Sequence, residues 1–380
     1  MGMLLLLAGF ALAAPLRGPD AAPLDRQVDP GALFQNADPD WADSRFRSDP
    51  QALGRVAKNA VCYLKHQRSD PAAGPGLVPG TQAQLERTLR HLVHTARNSP
   101  ASLSDAAWLA SNFDVVRWSA DVKGARARDL NPTQGQIRLT RYLVYQVPGS
   151  DVQTSTFDAA LYAVPNQERA LTEAQAAERF PGDLVRAKLT RKQVLDGAFA
   201  KGGPFAGQAE PLIWVRRADV HRALMQGTIE VQVDGKARLF NVHRHNGITY
   251  QTGIEDSEDQ DRFWYFREVA GLNGWSTPEG GIQVEPQVTV AGDVYNLGLG
   301  RVVALSYRPA GARPSELRLV VLADTGGAFQ PNLFQLDWLA GSFPSHSAFK
   351  EAVRHVPSYV SASFLVVKDG VEVGDVECGD

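Results

Sequence analysis

The hydrophobic pattern of the chain changes character near residue 113, and this change limits the possible folds more than any other feature. Before it, apolar residues recur at helical spacing in segments 51–66, 82–98 and 104–112. After it, apolar and polar residues alternate in short runs between glycines and prolines, which is typical of strands. Strands and helices do not alternate as βαβ units, so the order predicts an α+β fold, mainly β, with small β-barrels.

The individual elements follow from the same patterns. Strands are predicted at 113–118, 137–147, 212–215, 228–233, 237–243, 284–290, 302–307, 317–322 and 359–367. Helices are predicted between them at 172–179, 190–200 and 346–355. Asp234 and Gly235 stand between two alternating runs and favour a tight hairpin turn. A chain of 380 residues is long enough for two domains.

The charge of the chain is nearly balanced, with 39 Lys and Arg against 42 Asp and Glu and a net charge of −3. This balance argues against nucleic acid or an acidic membrane surface as a partner. The pairs His91/His94 and His243/His245 lack the carboxylate or Cys that would complete a metal site. The acidic segment 255–261 lacks the Gly and Glu spacing of a calcium loop. We therefore expect no metal and no cofactor.

Residues 1–13 have the pattern of a secretory signal peptide, with a short leucine-rich core that ends in Ala-Leu-Ala. The apolar run is too short to span a bilayer, and no Cys near the cleavage site could carry a lipid. We therefore expect an exported, periplasmic protein without a transmembrane segment, while association with the outer membrane stays open. The alternative is a buried N-terminal helix, because no Lys or Arg precedes the apolar core.

Cys62 and Cys378 are the two cysteines of the chain. In an oxidising compartment they could form one bridge between the C-terminal tail and the N-terminal helices. They could equally stay unpaired, with Cys62 as a small apolar residue of a helix core. The sequence leaves both arrangements open.

A series of short motifs runs from residue 105 to residue 268. They are DAAWLASNFDVV at 105–116, LTRY at 139–142, PGS at 148–150, ALYAVP at 160–165, LTR at 189–191, MQGT at 225–228, DGK at 234–236, NGITY at 246–250 and FWYFRE at 263–268. In order and spacing these motifs resemble the membrane-bound lytic murein transglycosylase A (MltA) family. The resemblance covers about residues 105–367.

The C-terminal motifs are the most specific. They are VAGD at 290–293, LGLG at 297–300, LADTGGAF at 322–329 and FQLDWLAG at 334–341. They resemble the segments that carry the three aspartates of the family's double-psi barrel module, here Asp293, Asp324 and Asp337. The resemblance implies a double-psi β-barrel domain with the N-terminal helices, a second inserted β-barrel domain, and a substrate groove between them. Its parts would be the N-terminal helical region and start of domain 1 at 14–140, the inserted domain 2 at 141–259, the barrel part of domain 1 at 260–368, and a tail at 369–380.

Asp337 corresponds in position to the family's catalytic acid. Lytic transglycosylases cleave the β-1,4 bond between N-acetylmuramic acid and N-acetylglucosamine in peptidoglycan by attack of the muramoyl C6 hydroxyl, so one carboxyl can act as acid and then as base. Such a group must be protonated near neutral pH, which its apolar neighbours Leu336 and Trp338 would favour. Asp324, which Thr-Gly-Gly follows, would support it, since a second ionised carboxylate raises the pKa of the first.

Substrate-binding residues are predicted around these aspartates. The candidates for hydrogen bonds to sugar hydroxyl or N-acetyl groups are, by family position, Thr140, Tyr142, Gln226, Asn246 and Tyr250. Trp338 offers an aromatic face for a pyranose ring, or alternatively belongs to the core, since half of a strand's residues face inward. Asp293 is the remaining candidate, and its alternative role is to cap a turn of the barrel.

Departures from the family pattern leave two rival functions open. Asp324 and Asp337 are thirteen residues apart, two more than is usual in the family, so we expect a small insertion near 330–332. The segments 140–144 and 227–228 also differ from the family's motifs. The rivals are a non-catalytic peptidoglycan-binding protein and a hydrolytic muramidase, which would need a second carboxylate to activate water. In each case the partner is a peptidoglycan glycan strand, and we expect a monomer.

Overall fold

The computed structural model describes residues 28–379, apart from 40, 134, 252, 255, 278–279, 310–313, 327–328 and 330. The predicted signal peptide lies outside the described residues. The helices are α1 (Pro30–Leu33), α2 (Pro50–His66), α3 (Gln82–Asn98), α4 (Ala106–Asn112), α5 (Val122–Arg126), α6 (Glu173–Arg179), α7 (Arg191–Leu195), α8 (Arg217–Gln226), α9 (Val294–Leu297) and α10 (His346–Val353). Among the residues described, no helix combines the length and the hydrophobicity that crossing a bilayer requires.

Strands alternate irregularly with these helices. They are β1 (Phe34–Asn36), β2 (Arg45–Phe46), β3 (Phe113–Trp118), β4 (Ile137–Pro148), β5 (Ala159–Tyr162), β6 (Pro211–Val215), β7 (Thr228–Val233), β8 (Lys236–His245), β9 (Trp264–Val269), β10 (Asn273–Thr277), β11 (Gly280–Gln283), β12 (Thr289–Ala291), β13 (Val302–Tyr307), β14 (Glu316–Asp324), β15 (Gln335–Phe343) and β16 (Tyr359–Val367). The 3-10 helices lie at Pro71–Ala73, Pro100–Ser104, Val185–Lys188 and Ser257–Asp259. The prediction of an α+β fold is confirmed at this level.

The two long N-terminal helices form where the sequence predicts them, because each has a strong start signal. Asp49 caps α2 with its carboxylate, and Thr81 begins α3 in a capping box with Gln84. The helices pack closely where Gly54 meets Ala96. A Cβ at Gly54 would lie 2.4 Å from the Ala96 Cβ, so this approach requires glycine.

Turn chemistry explains other elements. β7 and β8 form the predicted hairpin, with Asp234 (φ 48°) and Gly235 (φ 76°) in the left-handed turn conformation. The predicted helix 190–200 ends at Leu195, because Gly197 adopts φ 96°. The sequence pattern does not predict α8, and it does not predict β10 and β11, whose glycines weaken the strand signal.

The long strand β4 connects two halves of a large sheet. The sheet has the order β1-β3-β16-β13-β14-β12-β15-β4-β7-β8-β9, and β2 pairs with β14. β4 lies parallel to β15 over most of its length, and its last residues, from Tyr145 to Pro148, lie parallel to β7. β4 therefore passes from one part of the sheet into the other.

Two hydrophobic cores lie on either side of this strand. The first contains α2, α3 and the strands around β12–β16, and the second is formed by residues between Val147 and Phe266. Tyr145 on β4 packs against both cores. Side chains between the cores can thus be contributed by both halves of the protein.

A disulfide closes the first core. Cys62 on α2 is bonded to Cys378 in the C-terminal tail, with a Cα–Cα distance of 5.4 Å. Arg87 and Arg90 on α3 also hold the tail, donating hydrogen bonds to the carbonyls of Val371 (3.0 Å) and Gly374 (3.1 Å). Of the two arrangements left open by the sequence, the structure has the bridged one.

Cys378→Ser should lower the free energy of unfolding by about 3 kcal/mol, because the bridge closes a very long loop and restricts the unfolded chain. The measurement is urea unfolding under oxidising conditions. Wild-type protein unfolded with a reductant should show the same loss, whereas the variant should not respond to reductant. Equal stability of oxidised wild type and variant would contradict the prediction.

Candidate active site

A pocket lies between the two cores, and both halves of the sheet contribute to its wall. Its polar lining residues are Tyr142, Gln226, Thr228, Asn241, Asn273, Ser276, Asp324 and Thr325. Apolar residues such as Leu339 on β15 and Ala291 on β12 complete the wall. The enclosed space is only about 40 Å³, enough for water, so a sugar ring would require the cleft to widen.

The sheet register brings Asp324 and Asp337 to opposite sides of one short strand. Asp324 is the last residue of β14, and it is paired with Ala291 of the parallel strand β12. Asp337 on β15 is paired with the same Ala291 across the antiparallel edge of β12. The thirteen-residue separation in sequence is therefore compatible with close placement of the two carboxyl groups.

Asp337 is a buried carboxyl group with only 1% of its surface exposed. Burial raises its pKa to about 7, because the ionised form loses its solvation. The charge of Asp324 raises the pKa further, while the Thr140 hydroxyl and the guanidinium groups of Arg141 and Arg138 lower it. Its Oδ1 has no hydrogen-bond partner in the described part of the chain, which also favours the protonated form.

Asp324 is held by two hydrogen bonds at the pocket wall. The Tyr142 hydroxyl donates to its Oδ2 at 2.7 Å, and the Thr325 amide donates to its Oδ1 at 2.8 Å. Burial raises the pKa of Asp324 to about 6, and these two donors oppose the increase. Burial and the nearby carboxylate raise the pKa of Tyr142 well above its ordinary value, so its hydroxyl remains a donor. Of the two carboxyl groups, Asp337 therefore has the higher pKa and is the one that retains its proton to higher pH.

Asp337 stands just beyond the pocket wall. It lies two residues before Leu339 on β15, so the two side chains share one face of the strand about 7 Å apart. Leu339 and Tyr142, which are register partners, line the pocket, whereas Asp337 and its partner Thr140 lie two residues earlier on the same two strands. Asp337 itself is buried and does not line the pocket.

Comparison with known proteins gives a result only at the level of structure. No protein-family model and no curated protein matches the chain. Among solved structures, a membrane-bound lytic murein transglycosylase from Agrobacterium tumefaciens superposes with a TM-score of 0.59 at 14% identity, covering 88% of this chain and 97% of that chain. The chain has the MltA fold. MltA from Neisseria gonorrhoeae gives a TM-score of 0.57 at 14% identity, covering 88% of this chain and 90% of that chain.

A third MltA structure carries a ligand. MltA from Escherichia coli with bound chitohexaose superposes with a TM-score of 0.55 at 16% identity, covering 88% of this chain and 94% of that chain. The likeness thus extends over nearly nine tenths of the chain and is not confined to the segment that contains the three aspartates. The predicted resemblance is confirmed as a shared MltA fold.

Three of the predicted substrate-binding residues lie at or beside the pocket of this MltA fold. Tyr142 and Gln226 line it directly, and the Oε1 atom of Gln226 is buried without a hydrogen-bond partner among the described residues. Thr140 lies one step further, next to Asp337, and its hydroxyl accepts a hydrogen bond from Gln335 at 3.0 Å. These three side chains stay candidates for substrate contact.

Four other candidates do not line the pocket. Trp338 is 1% exposed, donates from its indole to the Gln287 carbonyl at 3.1 Å, and packs against the Arg318 guanidinium at 4.5 Å. It faces the opposite side of β15 from Asp337, so the core alternative describes it correctly. Asp293 is fully buried, caps α9 and does not line the pocket. It also accepts a hydrogen bond from the Asn332 amide at 2.9 Å.

Asn246 and Tyr250 lie in the half of the protein that contains the second core, formed by residues between Val147 and Phe266. Asn246 is 1% exposed, and its amide donates to the carbonyls of Leu189 (2.9 Å) and Asp261 (3.0 Å). Its hydrogen bonds are used to hold the loop after β8. Tyr250 is 43% exposed in that loop and is not part of the pocket wall. The resemblance predicts both residues as substrate contacts, but neither lines the pocket.

The sequence reasoning misses several residues of the wall. Thr228 and Asn241 are register partners on β7 and β8, and the Thr228 hydroxyl is hydrogen bonded to the Asn241 side chain. Asn273 and Ser276 come from β10. Asn241 sits at an inward position of an alternating strand, where a polar residue is a usable signal, whereas β10 has no signal in the sequence pattern.

Proposed function

We propose that the chain is a peptidoglycan lytic transglycosylase that cleaves the β-1,4 bond between N-acetylmuramic acid and N-acetylglucosamine without water. The observation that supports this most directly is the buried Asp337, whose pKa is raised to about 7 beside the ionisable Asp324. A carboxyl that exchanges its proton near neutral pH is suited to serve as acid and base in turn. The MltA fold of the chain, shared with lytic murein transglycosylases, supports the same reaction class.

In the proposed reaction Asp337 begins protonated and gives its proton to the glycosidic oxygen as the bond to the muramoyl C1 breaks. The Asp337 carboxylate then takes the proton of the C6 hydroxyl as that oxygen bonds to C1, which yields the 1,6-anhydro product and restores the acid. Asp324, fixed by Tyr142, stays ionised and keeps the pKa of Asp337 high. No water takes part, so no second carboxylate is needed to activate one.

We further propose the domain arrangement that fits this function. A double-psi β-barrel of residues 260–368 with the helical region 14–140 would form domain 1, and residues 141–259 would form an inserted barrel. The two separate cores and the mixture of parallel and antiparallel pairs around β12 and β15 support it. The glycan strand would lie between the domains, and an exported, periplasmic protein would meet it there.

Digestion of purified murein tests the reaction. Muropeptides with 1,6-anhydro ends, identified by mass, are the expected products. Reducing ends would instead indicate a hydrolytic muramidase, and intact sacculi that retain bound protein would indicate a non-catalytic binder. Either result would overturn the proposal.

The rate of murein cleavage should fall as the pH rises through about 7, because Asp337 must be protonated to act first as an acid. Asp324→Asn removes a negative charge beside Asp337, which makes ionisation easier and lowers the pKa of Asp337. The alkaline limb of the kcat profile should therefore move to lower pH in this variant. A limb that stays in place or moves to higher pH would contradict the assignment.

A further inference from the structure

A second cavity, of about 350 Å³, lies where α3, the 3-10 helix Pro100–Ser104 and the C-terminal tail meet. Its wall includes His91, His94, Ser102, Trp108, Asn112 and Glu372. None of the residues that line it lines the pocket between the two cores. The cavity is much larger than the enclosed part of that pocket and falls within the usual size of small-molecule sites.

His91 gives this cavity its unusual chemistry. The side chain is 94% buried, yet neither ring nitrogen has a hydrogen-bond partner in the part of the chain that the structure describes. Asn112 and the Glu372 backbone come near the ring, but neither meets hydrogen-bond geometry. The ring is stacked on Trp108 at 5.3 Å and 8° and is thereby fixed in orientation. A buried polar ring whose nitrogens lack a well-formed hydrogen bond calls for an explanation, and a polar group of a ligand in the cavity would supply one.

The lining indicates which class of ligand could supply that partner. Burial lowers the pKa of His91, so the ring is neutral and offers one donor and one acceptor. Hydroxyl and acetamido groups match this pattern, since each can both donate and accept. Further hydrogen-bond donors and acceptors come from the uncharged polar side chains of the wall, such as Ser102 and Asn112. The half-buried Trp108 offers an apolar edge. The Glu372 carboxylate at the rim disfavours an anionic ligand.

We infer that this cavity is a second carbohydrate site, which takes one neutral sugar unit that bears hydroxyl and acetamido groups. His91 hydrogen bonds to the sugar, and Trp108 packs against its ring. The tail that carries Glu372 and Gly374 forms one wall, and the disulfide at Cys378 ties this wall to α2. The site is independent of catalysis and would hold a glycan strand away from the position of cleavage.

An NMR titration of the full-length, ¹⁵N-labelled protein with N-acetylglucosamine trisaccharide tests the inference. The backbone amides of Thr95 and Ser99, both in the wall, report on occupancy. Saturable shifts of these signals are expected for the wild type. Ser102→Trp fills the cavity and should weaken binding at least tenfold, whereas Ser104→Trp, on the exposed side of the same 3-10 helix, should leave it unchanged.

Two further measurements separate the alternatives. Asp337→Asn should bind the trisaccharide at this cavity with the affinity of the wild type. Failure of the proposed cleavage and failure of this second site therefore give different results. Trp108→Leu should lose binding as Ser102→Trp does, and it replaces that variant if Ser102→Trp does not fold. Unshifted amides in the wild type, equal affinity in the filled variant, or shifts with anionic muramyl dipeptide alone would each overturn the inference.

Discussion

Asp337→Asn should lower the rate of 1,6-anhydro product release from murein by about 10³-fold, because the amide can neither give nor accept the proton that the reaction exchanges. The substitution keeps the shape of a side chain that is buried between β12 and β4, so the fold should be retained. The measurement is the initial rate of anhydro-muropeptide formation from purified sacculi. Binding of the variant to sacculi should persist.

Asp293→Asn is the matched control. It changes another buried aspartate of the same module, but one that caps α9 and does not line the pocket. Asparagine also caps helices well, so the rate should change less than about threefold. If the Asp293 variant loses as much activity as the Asp337 variant, the loss reflects damage to the fold and the catalytic assignment fails.

Signals between residues close in sequence were sufficient to predict α2, α3 and the β7–β8 hairpin. The start of α2 at Asp49 and of α3 at Thr81 follows from capping, and the β7–β8 hairpin follows from the Asp-Gly pair. Each of these features is decided by residues within about four positions of one another. The short strands β10 and β11 are also local, since they pair with each other within ten residues, but their glycines carry little strand propensity and the pattern does not predict them.

The site depends on contacts between distant segments. Asp324 and Asp337 become neighbours because β14 and β15 both pair with β12, a register that sequence spacing alone does not determine. The resemblance to a family selected these two aspartates, but only the register explains why two extra residues between them are tolerated. The bridge from Cys62 to Cys378 is a similar case, since it joins residues 316 positions apart.

The binding candidates that do not line the pocket lie away from it for different physical reasons. Alternation along a strand divides side chains between two faces but does not say which face is covered by another layer. Trp338 is covered by Arg318, and Asn246 uses its amide to close a loop, so both are interior residues. Gln226 follows the same family pattern, but it is the last residue of α8 and lies at the pocket.

Glu168→Ala should destabilise the second core by about 3–5 kcal/mol, the cost of leaving buried charges without a partner. Glu168 has no exposed surface and accepts hydrogen bonds from Arg186 at 2.9 Å and from Arg244 at 3.3 Å. Both guanidinium groups are at least 94% buried, so the variant would retain two buried cations, of which only Arg186 keeps a carboxylate partner, the 39% exposed Glu173. Urea unfolding, followed by fluorescence of the tryptophans, measures the loss.

Glu210→Ala is the matched control, because it removes an ion pair that is exposed to solvent. Glu210 forms an ion pair of 2.6 Å with Arg169, the residue next to Glu168, but the two side chains are 55% and 43% exposed. Water and salt screen this pair, so its removal should cost less than about 1 kcal/mol. High salt should leave the Glu168 effect nearly intact, because the buried triad is not screened. Similar losses of unfolding free energy in the two variants would mean that Glu168 and its two arginines are accessible to solvent, which would contradict the prediction.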